Sequence, residues 1–212
     1  MGGVIRKQLN MSKALITKFD TEDEWYQARV GRITGTKAGN LYMKRGTGYK
    51  MGFYELIAEM IALPPSNENP MDRGKRLEET ALDLFAEKIG KKINKDLCIV
   101  SREDEPMIAY SPDGLIGKTM DVEVKCLSSA RHIEAYLTQS IPMEYYDQML
   151  QGFVVNDSLR TRYMVFFDNR CPIDIFWLEM HRKDVKDDIK ASLTNQQSAI
   201  KAARELMGTL TF

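Results

Sequence analysis

The stretch SPDGLIGKTMDVEVKC, Ser111 to Cys126, decides how this chain is read. Pro112-Asp113-Gly114 is a turn signal: proline presets its own φ, and aspartate and glycine suit a tight bend. Residues 107–110 before it and 121–126 beyond it have the composition of short strands, which places Asp113 at the lip of a hairpin-like unit. From Met120 to Leu127 the pattern alternates. Val122, Val124 and Cys126 take one side, and Asp121, Glu123 and Lys125 take the other. Glu123 and Lys125 therefore share a face, and an Asp113 folded back beside Glu123 brings two carboxylates and an ammonium into a small volume.

That trio is what a divalent-metal phosphodiesterase needs. Carboxylate oxygens suit a hard cation, and Mg²⁺ commonly takes one or two carboxylates with waters and substrate phosphate. The backbone carbonyl of Val124 offers a further oxygen. A metal held there would lower the pKa of a water and polarise a scissile phosphate. Lys125 would orient that water or neutralise developing charge. The same alternation also describes an ordinary strand with a solvated charged face, so the short motif needs its context.

A chain of 212 residues reads as one domain and is long enough to bury a core. Hydrophobic residues make up 43% and charged residues 28%, the balance of a soluble globular protein. No apolar run is long enough to span a bilayer. Residues 1–10 are basic without the apolar centre of a secretory signal. Cys98, Cys126 and Cys171 are odd in number and scattered, with no Cys-x-x-Cys, which argues against a disulfide framework or zinc ribbon and for a reducing cytoplasm. His132 and His181 are the only histidines, so a histidine-rich metal site is not expected. Both are read as surface or hydrogen-bonded structural residues.

A formal net charge of zero argues against an indiscriminate nucleic-acid binder. Locally the balance differs. Arg29, Arg32, Lys37, Lys44, Arg45 and Lys50 occur with no acidic residue among them, and Tyr42 and Tyr49 are interleaved. The run is either a footprint for phosphates, with rings for bases, or a solvated basic loop.

The remaining patterns alternate helix and strand. Residues 1–16 read as a lead-in. Thr21 and Glu24 make a capping box for a helix to about residue 30, and Thr36 can cap a second to Tyr42. Phe53, Leu56, Ile57, Met60 and Ile61 recur at helical spacing until Pro64-Pro65. The clearest helix covers residues 71–88, with a Leu77, Ala81, Leu84, Phe85 stripe and Gly90 as its stop. Glu78 at the stripe's edge either pairs with a basic neighbour or reaches inward. Strands follow at 92–101, 107–110 and 120–127, helices at 130–137 and 143–155, strands at 162–167 and 174–179, and a helix at 183–206. Gln148 and Gln151 stand i, i+3 on one side of their helix, with amides able to donate to phosphate oxygens. Phe166, Phe167, Phe176 and Trp177 serve a core or a partner subunit, the core being the commoner use.

Together these residues resemble the phage lambda-type exonuclease family, the YqaJ-like alkaline exonucleases of viral recombination, within the PD-(D/E)XK nuclease group. The likeness rests on Trp25…Arg29-x-Gly31-x-Ile33-Thr34, Gly74-x-x-x-Glu78, Ser111-Pro112-Asp113-Gly114, Glu123-Val124-Lys125-Cys126 and Gln148, which occur in family order. It spans roughly residues 24–155 by motif. Thr36 stands where a relative has serine, and Arg73 where the family has an aromatic residue before the glycine.

The resemblance implies an α/β (α+β) fold with a restriction-endonuclease-like core, a central mixed sheet flanked by helices. It implies a helical DNA-end region at 17–70, a nuclease core at 71–182 and a terminal helix at 183–212. The implied activity is processive 5′-to-3′ digestion of double-stranded DNA ends, with Mg²⁺ as cofactor, Mn²⁺ able to replace it and Ca²⁺ non-productive. Asp113, Glu123, Val124 and Glu78 would hold the metal, with Glu78 acting on the ion directly or on its water, and Lys125 would be catalytic. Arg29, Thr36, Ser111 and Gln148 would bind the 5′-phosphate, and Arg32, Lys37, Lys44 and Arg45 the duplex. A homotrimeric ring and a single-strand annealing protein as partner are implied as well. An endonuclease of the same group, or a DNA-end-binding module without catalysis, remain the competing readings.

Overall fold

Residues 120–125 do form an alternating strand, but both of its faces are covered, and only Met120 and Lys125 at its ends stay partly exposed. The computed structural model describes residues 21, 23, 24, 27, 30, 49–61 and 70–210. Its elements run α1 (Met51–Met60), α2 (Pro70–Ile89), β1 (Val100–Ser101), β2 (Ala109–Tyr110), β3 (Gly114–Ile116) and β4 (Met120–Lys125). Then come α3 (Ser129–Thr138), α4 (Met143–Val155), β5 (Thr161–Phe167), β6 (Ile175–His181), a 3₁₀ turn (Arg182–Asp184) and α5 (Lys186–Leu210). The chain divides into two compact units, Met1–Pro64 and Pro65–Phe212. In the first, the Glu24 amide donates to the Thr21 hydroxyl as the capping box requires. α1 buries Gly52, Tyr54 and Ala58 and leaves Met60 exposed, so its covered face lies beside the expected stripe. The helix expected from Thr36 lies outside the described residues.

The second unit is built on a mixed four-stranded sheet in the order β3-β4-β5-β6, with β4 and β5 parallel and the outer pairs antiparallel. A parallel pair needs a crossover, and α3 and α4 supply it. On one face α2 lays Leu77, Ala81, Leu82 and Phe85 over Val122, Val124, Tyr163, Val165 and Phe167. Leu82 takes the central place expected of Leu84, which lies at the flank. On the other face Met149 and Phe153 of α4 meet Met164, Phe166 and Phe176. α5 covers the far side of α4 through Ile189 and Leu193. Each fully covered aliphatic or aromatic side chain contributes about 1.5–3 kcal/mol. Phe166, Phe167 and Phe176 are thereby committed to the core, and Trp177 lies against Phe85, with ring centroids 5.2 Å apart.

Two expectations need correction. The partner of β4 is residues 114–116, after the Pro-Asp turn. Residues 109–110 pair instead with residues 100–101 in a separate two-stranded sheet. The hairpin bend lies at Gly117, whose φ of +62° is open to glycine at little cost. Most of the strand expected at 92–101 is irregular, because only Asn94 bridges to the β3 edge, at Leu115.

α2 ends as its sequence predicts. Gly90 adopts φ +64°, and the amides of Gly90 and Lys91 return to the carbonyls of Glu87 and Ala86, a Schellman closure. Its first turns are tied down by Arg73. That guanidinium is buried and donates to the carbonyls of Cys126 (2.8 Å) and Leu127 (2.5 Å) and to Asp168 Oδ1 (2.7 Å). Asp168 also accepts from Ser129 (2.6 Å) and Arg170 (2.9 Å). Burial pushes the Asp168 carboxyl up, but hydrogen bonds from Arg170 and Ser129 and the Arg170 charge outweigh it and hold it at about 2. His132 is buried, bonded through Nε2 to the Ile173 carbonyl, and edge-on to Phe176, a structural histidine.

Because the folded-state value lies below the ordinary 3.8, Asp168 stabilises the fold above that pH and loses its contribution as pH falls towards about 2. Urea unfolding of Asp168→Asn is expected to show about 3 kcal/mol less stability at neutral pH. The gap to wild type should narrow in the acid range; an undiminished gap at pH 2 would contradict this account.

Candidate active site

β3 is shorter than β4, and the place it leaves empty along β4 is taken by a side chain. Regular pairing stops at Gly114 opposite Val122. One residue earlier, the Asp113 amide donates to the Val122 carbonyl (3.1 Å). The next donor along β4, the Val124 amide, is accepted by the Asp113 carboxylate at 2.7 Å. Gly114 next to it packs closely on Ile93, since a Cβ there would lie 2.5 Å from Ile93 Cγ2. Asp113 thus continues the ladder with its side chain, through a charge-assisted bond worth about 1.5–3 kcal/mol. In a strand a residue's N–H and C=O leave on the same side. The Val124 carbonyl therefore faces the same edge as the Asp113 carboxylate.

Glu123 and Lys125 lie on the α4 side of β4. Lys125 Nζ donates to Glu123 Oε1 at 2.7 Å and sits 5.1 Å from the centre of the Tyr145 ring. Gln148 of α4 donates to the same carboxylate oxygen. Glu123 is 3% exposed, whereas the Lys125 side chain is 18% exposed. The charged face is therefore interior, because α4 covers what the alternation alone leaves facing solvent. Glu78 approaches from α2 on the opposite side of the sheet and feels both Asp113 and Lys125. It lines a cavity of about 240 Å³ with Ser111, Pro112, Asp113, Lys75 and Lys95.

The electrostatics are those of an acidic cluster short of positive charge. Burial pushes the Asp113 carboxyl up, and the Val124 amide and Lys125 pull it only part of the way back. Burial and the Asp113 charge push Glu123 up against the pull of Lys125 and Arg162. Burial, then Asp113, raises Glu78. A divalent cation would relieve all three, and the carboxylates with the Val124 carbonyl are the hard oxygen donors it prefers. Among the described residues no three His, Cys, Asp or Glu side chains converge as a ready-made cage.

Asp113, Val124, Glu123, Lys125 and Gln148 are thus linked along one stretch of β4, with Glu78 within electrostatic reach from the α2 side. Ser111 lines the adjoining cavity, its hydroxyl donating to the Cys98 carbonyl at 2.7 Å. Gln151 turns away from Gln148 and bonds Gln196 of α5. Arg29, Arg32, Thr36, Lys37, Lys44 and Arg45 lie outside the described residues. Three buried residues behind the site were not singled out by the sequence: Arg73, Asp121 and Arg162. Asp121 carried a signal, since it shares the alternation of Glu123 and Lys125. Arg73 stood out only as a departure from the family's aromatic residue, and Arg162 carried no signal, because nothing local distinguishes a buried arginine from a surface one.

No described helix is long and apolar enough to cross a membrane. No curated protein is a significant match to the chain. Among solved structures, the alkaline exonuclease LHK-Exo from Laribacter hongkongensis is similar over 89% of this chain and 100% of its own, at 23% identity and a TM-score of 0.54. The same enzyme in complex with dAMP gives a TM-score of 0.53 over the same spans. The mixed sheet flanked by helices is therefore the alkaline exonuclease fold. The model of the YqaJ-like viral recombinase domain matches residues 24–158, which takes in α2, the whole β3-β4 edge and α4, and the chain belongs to that family.

Proposed function

We propose that the protein is a Mg²⁺-dependent exonuclease that digests double-stranded DNA from 5′ ends and leaves 3′ single strands for homologous recombination of the phage type. The observation that carries this reading is the meeting of Asp113, Glu123 and Lys125 at one edge of a covered sheet, in a chain of the YqaJ-like family. The dAMP complex of LHK-Exo supports it, since a nucleoside monophosphate is what an exonuclease releases.

Asp113, Glu123 and the Val124 carbonyl would hold the ion, with Glu78 acting directly or through water. When bound, the ion supplies Lewis-acid polarisation of the scissile phosphate and an acidified water. The protein supplies the rest. Lys125, half-anchored on Glu123 and Tyr145, keeps an accessible ammonium beside the reacting phosphate, where it offsets developing charge or orients the attacking water. Gln148 holds the Glu123 carboxylate against rotation. The family resemblance assigns Arg29, Thr36, Ser111 and Gln148 to binding the terminal phosphate. A terminal 5′-phosphate carries more charge than an internal diester, so a fixed cationic pocket selects ends and recaptures each new one. A homotrimeric ring around the DNA retains the substrate between cuts, and the 3′ strand passes to a single-strand annealing protein in the cytoplasm.

Linear duplexes with a 5′-phosphate, a 5′-hydroxyl or a 3′-overhang, run beside a sealed circle, test the reading. Digestion is expected from phosphorylated 5′ ends in Mg²⁺, not in Ca²⁺, with the circle intact. Cutting of the circle would replace exonuclease with endonuclease. Lys125→Ala is expected to lower nucleotide release by about 100- to 1,000-fold while end binding persists. In thermal unfolding Mg²⁺ should raise the melting temperature of wild type and leave that of Asp113→Asn unchanged. An equal rise in both would remove Asp113 from the metal site.

A further inference from the structure

Asp121 is the second acid on the Glu123–Lys125 face, and it is fully buried without belonging to the proposed metal core. Its partner is Arg162, directly beside it on β5 in the parallel register and likewise 0% exposed. Arg162 Nε donates to Asp121 Oδ1 at 2.7 Å. Its Nη1 donates to two carbonyls of α4, those of Gln148 (2.7 Å) and Met149 (2.8 Å). Its Nη2 finds no hydrogen-bond partner among the described residues and lies 3.9 Å from Glu123 Oε2. The Tyr110 ring lies on the guanidinium, 5.0 Å from its carbon.

The arrangement requires a glycine on α4. A Cβ on Gly152 would lie 2.5 Å from both Arg162 Cζ and Nε. The guanidinium therefore sits directly against helix backbone, one turn beyond the Gln148 whose side chain touches Glu123. One group thus touches both supports of the Glu123 carboxylate: the helix that delivers Gln148 to Oε1, and the space behind Oε2. Asp121 sets how far the guanidinium advances. Bonded to Asp121, it stops 3.9 Å from Glu123 Oε2, short of hydrogen-bond distance.

We infer that Arg162, seated on Gly152 and restrained by Asp121, is a positioning residue that holds Glu123 ready for a divalent cation without occupying the oxygen the cation needs. Without the Asp121 charge the guanidinium closes on Glu123 Oε2 as a competing salt bridge. Without the glycine it is displaced from the α4 carbonyls, and Gln148 loses its register on Glu123. The inference rests on the metal-site reading above, which places the ion on Glu123.

Mg²⁺ binding is measured by isothermal titration on wild type, Glu123→Gln, Asp121→Asn and Gly152→Ala, without DNA, beside thermal unfolding of each metal-free protein. Both Asp121→Asn and Gly152→Ala are expected to weaken Mg²⁺ binding by about 10- to 100-fold. Nuclease activity of Asp121→Asn should return at correspondingly higher Mg²⁺. Gly152→Ala adds a second discriminator, because helix propensity alone makes glycine to alanine stabilising. Lower thermal stability together with weaker Mg²⁺ binding supports the seat on Arg162. Should Asp121→Asn fail to fold, Gly152→Ala decides alone. Wild-type affinity in both variants, with Glu123→Gln impaired, overturns the positioning role and leaves the metal site standing. No loss of affinity in Glu123→Gln overturns the metal site and this inference with it.

Discussion

A side chain standing in for a strand residue is the constraint on which this site depends. The Asp113 carboxylate satisfies the Val124 amide where β3 has run out, so its position is set by the sheet's own hydrogen-bond geometry. A carboxylate on a loop would have to be ordered at the cost of its rotamer freedom. Here the ladder does the ordering. The same bond aligns Asp113 with the Val124 carbonyl and puts both within reach of groups from either face of the sheet. Glu78 comes from the α2 side, and Glu123, Lys125 and Gln148 from the α4 side.

That geometry collects negative charge where water is scarce, and the surrounding structure answers with cations at graded distances. Lys125 bonds Glu123 directly and stays partly exposed. Arg162 stands off at 3.9 Å, occupied by Asp121. Arg73 and Asp168 form a separate buried pair past the ends of β4 and β5, which fixes α2 about one and a half turns before Glu78. Buried ion pairs seldom add net stability over apolar packing, but losing one partner is costly, so they hold elements in a definite arrangement. In this protein they lock the two helices that flank that edge of the sheet. Burial leaves the Asp113, Glu123 and Glu78 carboxyls at that edge pushed up, and that of Asp121 behind them as well.

Much of this was legible in the chain. The period of two from Met120 to Leu127 determined that Asp121, Glu123 and Lys125 share a face, because a strand has no other way to place them. The 3.6-residue stripe and Gly90 determined α2 and its end, and the order of motifs determined the family. Tertiary structure decided the rest. Whether the charged face met solvent depended on α4 arriving over it, and the strand's alternation is the same in either case. Which segment paired with β4 was likewise a matter of tertiary structure: residues 114–116 joined the sheet, and residues 109–110 paired with residues 100–101. The roles of Arg73 and Arg162 depended on partners 95 and 41 residues away in sequence, Asp168 and Asp121. Local pattern carries the direction in which a side chain leaves the backbone, and only packing decides what it meets there.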